Sequence, residues 1–237
     1  MLTPHAIFSK LGDPGHSLHT WASRDPANVK VLRTTGINPS AKVHDLFVKG
    51  SSEHGDPYRE VEASRFLQHL GLPHLPIAHT PYPGYLYSPW TPHTTIWDDK
   101  EKLPFRRPAS SVSTAVADYL IGDNDRHLRN FIVAHHDPDH VISIDHGNAF
   151  PTLAQDHNEV VNAAGFPRLG GFYDHLLADG DMEMGHIRSH PGLLDRAASF
   201  VPDVLPDAVR EFHRRIEKLR AIHPQPSLYD LARVEAS

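Results

Sequence analysis

Residues 118–150 read DYLIGDNDRHLRNFIVAHHDPDHVISIDHGNAF, and the rest of the chain is best understood as their support. Asp125 and Asn130 stand five residues apart in this stretch. Two short β-type runs, FIVA and VISI, come next, joined by the polar turn HHDPDH. The second run delivers Asp145, followed by Gly147. His135, His136, Asp137, Asp139 and His140 are potential metal ligands within the turn, but Asp-Pro-Asp is ordinary turn chemistry. The tip of the predicted hairpin also lies away from the strand ends that carry Asn130 and Asp145.

These residue types suit phosphoryl transfer. Magnesium prefers hard oxygen ligands and takes only one or two from the protein, leaving the others to phosphates and water. Asn130 and Asp145 would meet that need as metal ligands. The reaction also needs an acceptor for the proton of the incoming hydroxyl, close to the metal but not consumed by it, and that role falls to Asp125. The interval from Asp125 to Asn130 is that of a kinase catalytic loop, and Asp145 then takes the place of the second metal-holding aspartate. Asp123 competes for the base role, but only Asp125 keeps the interval and the direct D-R-H wording.

The runs DNDRHLRNFIV and VISIDHGNAF resemble the D-x-H-x-x-N and I-D-x-G signatures of HipA-like kinases. The DRHLRN wording also resembles the DRHxxN loop of the related phosphatidylinositol 3- and 4-kinases. The resemblance covers roughly residues 23–223, densely at 118–150 and loosely elsewhere. It implies an atypical protein-kinase-like fold with ATP and Mg2+ as cofactors. It also implies that His127 is a scaffold residue of the loop. Arg126 and Arg129 are candidates either for phosphate contact or for holding the loop by salt bridges.

At 237 residues the chain can bury a substantial core as one large domain or two lobes around a cleft. The absence of cysteine removes disulfides, thiolate metal sites and cysteine nucleophiles together. With 29 acidic against 23 basic residues, a general phosphate-backbone binder is disfavoured, and nucleic acid is not an expected partner. The N-terminal wording MLTPHAIFSKLG has no basic and apolar leader pattern, and no apolar run is long enough to span a membrane. A soluble cytoplasmic protein is therefore expected. The 21 prolines and 15 glycines indicate many turns without low complexity.

From the start, AIFSKL and SLHTWAS read as short strands separated by GDPGH, VKVLRTT as a third strand, and VHDLFVKG as a strand ending on Lys49. DPYREVEASRFLQHLGL carries apolar residues at helical spacing, with Gly71 as its stop. In a kinase N-lobe the strand lysine reaches the α- and β-phosphates and is held by a helix glutamate. The HipA-like pattern of a small residue three on and a large apolar one six on selects Glu60 over Glu62, which is expected as an exposed helix charge. No G-x-G-x-x-G is present, and the phosphate-loop candidates are residues 23–28 and 12–17. YLYS reads as a strand entering an inter-lobe hinge, so Leu86, Tyr87 and Ser88 are candidate nucleotide contacts through their backbone.

KEKLPFRRPASS is a basic loop, SSVSTAVADYLIG a helix leading into the catalytic loop, and LLDRAASF and LPDAVREFHRRIEKLRAIHP are C-terminal helices. NAAGFPRLGGFYDHLL could contribute to an acceptor site, and the last dozen residues form a tail. The expected architecture is α+β and two-lobed: a small antiparallel β N-lobe with one helix at 1–90 and a mainly helical C-lobe at 91–237. The expected activity is ATP- and Mg2+-dependent phosphorylation of a serine or threonine hydroxyl on a protein. Some HipA-like enzymes act as toxins paired with an antitoxin, so a regulator of that type is an implied partner. A small-molecule or lipid kinase, a nucleotide-binding pseudokinase and a metal-dependent hydrolase are the alternatives. Ser23, Thr34 and Thr35 are candidate autophosphorylation sites.

Overall fold

A computed structural model describes residues 2–32, 38–50, 57–95, 109–123, 126, 128–135, 137–152, 190 and 192–221. Asp125, His127, Thr34, Thr35, the basic loop at 100–107, the stretch from 162 and the C-terminal tail lie outside the described residues.

The first two elements are helices, not the strands expected from AIFSKL and SLHTWAS. Helix α1 (Pro4–Leu11) is capped by the Thr3 side chain, which accepts from the Ala6 N–H, and Pro4 sits in its first turn. Helix α2 (Leu18–Arg24) is capped by Ser17, which accepts from the His19 N–H. Ile7, Phe8 and Leu11 are buried together on one side of α1, as helical spacing allows, whereas in a strand Phe8 would face away from Ile7 and Leu11. The indole N–H of Trp21 donates to the Gly12 carbonyl at 2.6 Å, tying the two helices together.

These helices cover one face of an antiparallel sheet ordered β1-β2-β3-β5-β4, with β1 at Val29–Leu32, β2 at Ser40–Val43, β3 at Leu46–Gly50, β4 at Ala78–His79 and β5 at Tyr85–Pro89. VHDLFVKG is thus a hairpin rather than one strand. The chain turns at His44 and Asp45, with His44 at φ 53°, and pairs Val43 with Leu46. Alternation then sorts the side chains. Val48, Tyr85 and Tyr87 pack toward α1 and α2, with the Tyr87 ring 5.4 Å from Phe8. Phe47, Lys49, Leu86 and Ser88 share the opposite face, since Phe47 pairs with Ser88 and Lys49 with Leu86.

Both phosphate-loop candidates fall elsewhere than expected. Residues 12–17 join α1 to α2, and residues 23–28 join α2 to β1, so neither lies between two strands. The β layer also carries three helices rather than one, because α1 and α2 precede it.

Helix α3 (Pro57–Leu70) ends as its sequence predicts. Gly71 has φ 73°, its N–H bonds the Gln68 carbonyl, and the Leu72 N–H bonds that of Leu67. Its apolar side belongs to a second core with helices α4 (Ala109–Leu120), α5 (Leu193–Ser199) and α6 (Pro206–Ala221). Phe66 meets the rings of Phe200 and Phe212 at 5.2 and 5.3 Å. A second sheet, β6-β7-β8, contains His93–Thr95, Phe131–Ala134 and Asp137–Ser143. Strand β8 begins inside the expected turn, with a bulge near Ala134 where it pairs with Asp137. Among the described residues no helix is long and apolar enough to cross a membrane.

Candidate active site

The Lys49 side chain leaves β3 on the face not covered by α1 and α2. Its ammonium donates to Glu60 Oε2 at 2.8 Å and to Asp145 Oδ1 at 2.5 Å. Glu60 comes from the first turn of α3 and is buried, whereas the Asp145 side chain is 46% exposed and opens to solvent. Asn38, Lys49, Glu60, Leu86, Asp145 and Gly147 line one cleft that is open to solvent. Residues separated by up to 96 positions therefore meet at a single ammonium.

Burial alone would push the Lys49 ammonium toward its neutral form. The carboxylates of Glu60 and Asp145 outweigh that effect and hold its pKa above the ordinary lysine value. For Asp145, burial acts upward and Asp123 adds to it, but the adjacent Lys49, helped by Arg126, holds the carboxyl below the usual aspartate range. Asp145 is ionised at neutral pH, with a hard oxygen available to the cleft.

Glu62 does not compete for the lysine. Two residues on, it faces the other side of α3, where its carboxylate accepts from the Asp203 N–H at 3.0 Å and pairs with Arg65. It is buried, contrary to the exposed charge expected, because the connection between α5 and α6 packs over it.

Asn130 closes a short 3₁₀ turn, Leu128–Asn130, and is buried at the start of β7. Its carbonyl accepts from the Ile144 N–H at 2.9 Å, which places it beside the segment carrying Asp145. Leu86 lines the cleft and Ser88 lies on the same face, while the Tyr87 side chain points away toward Phe8. The backbone at Leu86 and Tyr87 is flanked by β3 on one side and β4 on the other. Asp125 lies outside the described residues, between Asp123 and Arg126.

Sequence reasoning missed three contributors. Asn38 lines the cleft from the β1–β2 connection, and Phe47 shares the lysine face. The third, Lys42, sits with its ammonium 4.9 Å over the Trp90 ring. Splitting VHDLFVKG at His44-Asp45 would have exposed all three, because it moves the β1–β2 connection to residues 33–39.

Replacing Lys49 with methionine should lower folding stability by about 2 kcal/mol at neutral pH, mainly by stranding the buried Glu60 carboxylate. Asp145, nearly half exposed, adds less. The native pKa of Asp145 is depressed, so its contribution is present above the unfolded value of about 4 and fades as pH falls through the native one. That of Lys49 is raised, so its contribution is complete below the unfolded value of about 10.4 and fades as pH rises through the native one. Urea unfolding of both proteins should show the largest difference between about pH 5 and pH 10, with a small decline beginning as pH falls below about 4.

The family described as LepB N-terminal domain matches residues 114–173, well under half of the chain. No curated protein matches the chain by sequence. The proinflammatory kinase CtkA of Helicobacter pylori is similar in structure with a TM-score of 0.50 at 13% identity, over 89% of this chain and 97% of that one. HipA of a Shewanella oneidensis MR-1 toxin–antitoxin system, solved with HipB and operator DNA, gives a TM-score of 0.39 at 12% identity. That match covers 87% of this chain and 62% of HipA, so this chain spans less than two thirds of HipA. The α+β, kinase-like fold implied by DNDRHLRN and VISIDHGNAF is the fold this chain shares with CtkA.

Proposed function

We propose that the chain is an ATP- and Mg2+-dependent phosphotransferase acting on a hydroxyl, with a protein serine or threonine as the favoured acceptor. The observation that carries this reading is the Lys49–Glu60 pair held in one cleft with Asp145. An ammonium fixed by a buried carboxylate is a preorganised partner for phosphate oxygens. Residues 1–90 and 91–237 would form the two lobes, with Leu86 and Ser88, on the cleft face of β5, beside the nucleotide base.

The donor chemistry suits magnesium, since Asp145 brings an ionised carboxylate to the cleft and Asn130, at the start of β7, would supply an amide oxygen. When bound there, magnesium would neutralise developing phosphate charge. Lys49 would turn from Asp145 to the α- and β-phosphates while Glu60 keeps it in place. Asp125 would orient the acceptor hydroxyl and take its proton. An antitoxin-type regulator is the partner this class implies.

The test is transfer of label from γ-labelled ATP with magnesium, with and without cell extract, comparing the native chain with Asp125→Asn and Asp145→Asn. Labelled protein well above both variants supports the reading. ATP binding with no transfer would point to a pseudokinase, and label confined to lipid or small molecules would reassign the acceptor.

A further inference from the structure

No step of phosphoryl transfer falls to Arg126, yet its side chain is fully enclosed. Nη1 donates to Ser143 Oγ at 2.8 Å and to the Ile144 carbonyl at 3.0 Å, and Nη2 donates to the Asp145 carbonyl at 2.9 Å. One guanidinium therefore grips three consecutive residues where β8 ends. Asp145 is one of three described non-glycine residues with positive φ, at 64°, a conformation that its surroundings must maintain.

The grip is itself held. Arg126 Nη2 lies 3.1 Å from Asp123 Oδ2 and Nη1 lies 3.9 Å from Asp118 Oδ2, with all three side chains buried. Ser143 Oγ donates to Asp118, and His146 Nδ1 lies 2.8 Å from Asp123 Oδ2. Asp123 reaches this position because α4 ends on Gly122, at φ 68°, with the Asp123 N–H bonded to the Asp118 carbonyl. The Ile144 N–H, inside the gripped segment, is the donor to the Asn130 carbonyl. Both proposed metal ligands are thus fastened to the segment that Arg126 holds.

We propose that Arg126 is a positioning residue for the magnesium site, clamping the backbone at 143–145 so that Asp145 and Asn130 face the ion at a fixed separation. Magnesium tolerates little departure from octahedral geometry, so a loosened ligand segment weakens it before it weakens nucleotide contacts made by Lys49. A lysine at 126 keeps the charge but lacks the planar fork that reaches three acceptors. This inference rests on the phosphotransferase reading.

The experiment measures binding of a fluorescent ATP analogue to the full chain as magnesium is titrated, below the unfolding temperature of every variant. Arg126→Lys should raise the half-saturating magnesium concentration by about ten- to a hundredfold, with analogue affinity in EDTA unchanged. Ser143→Ala, which removes one gripped acceptor and no charge, should raise it by less in the same direction. A purely structural role would lower the unfolding temperature and leave the magnesium midpoint in place. A folded Arg126→Lys with a midpoint within twofold of native overturns the proposal. If Arg126→Lys does not fold, an unshifted Ser143→Ala overturns it. A native chain showing no magnesium-dependent binding removes the phosphotransferase reading, and the proposal with it, before any variant is compared.

Discussion

Gly122→Ala is expected to destabilise the protein by about 3 kcal/mol or more, from two separate sources. The first is conformational, because Gly122 has φ 68° and a Cβ there costs about 1–2 kcal/mol. The second is steric. A Cβ at this position would stand 2.2 Å from Arg215 Nη1 and 2.4 Å from its Cζ. Arg215 projects from α6 and is 2% exposed, so its guanidinium cannot swing into solvent without leaving the core. Gly15→Ala separates the two contributions, since Gly15 has φ 63° but a Cβ added there would meet nothing within 4 Å. Urea denaturation of both variants should give a loss near 1 kcal/mol for Gly15→Ala and a clearly larger one for Gly122→Ala. Equal losses would show that Arg215 yields at no cost.

Asp145→Asn is expected to lower phosphoryl transfer by about a thousandfold with the fold intact. The change keeps the side chain's size and its position at the end of β8. What it removes is the negative charge that Lys49 and Arg126 hold in the ionised state. The side chain is nearly half exposed, so little folding energy depends on it. If the proposed roles hold, the drop should appear in kcat more than in KM for ATP, because Lys49 and Glu60 would remain to engage phosphate. A rate within tenfold of native, measured on folded protein, would remove Asp145 from the chemistry.

The parts of the fold legible in the sequence are those where local signals agreed. Helix α3 has regular apolar spacing and a glycine stop, and it lies where both place it. Lys49 was found by strand wording and Glu60 by its match to the HipA-like pattern, and the two meet in an ion pair. Helices α1 and α2 were misread because six or seven residues of mixed polarity fit a strand as well as a helix. Their caps, Thr3 and Ser17, were the signals that could have decided it. The β2–β3 turn was hidden because it uses His44 and Asp45 in place of a glycine pair. The grouping of Asp118, Asp123, Arg126 and His146 was not legible at all. Buried charges read as solvated ones until the tertiary fold brings their partners together.

The helix that presents Glu60 is moored along its far side to the C-terminal helices. His69 Nε2 lies 2.9 Å from the Arg196 carbonyl and 3.0 Å from Ser199 Oγ. Glu62 grips the Asp203 backbone, and Phe66 is wedged against Phe200 and Phe212. Withdrawing Glu60 from Lys49 by swinging this helix would mean opening the larger of the two cores. Helix α3 is a strut and not a lever, so control over the cleft has to enter through other parts of the chain.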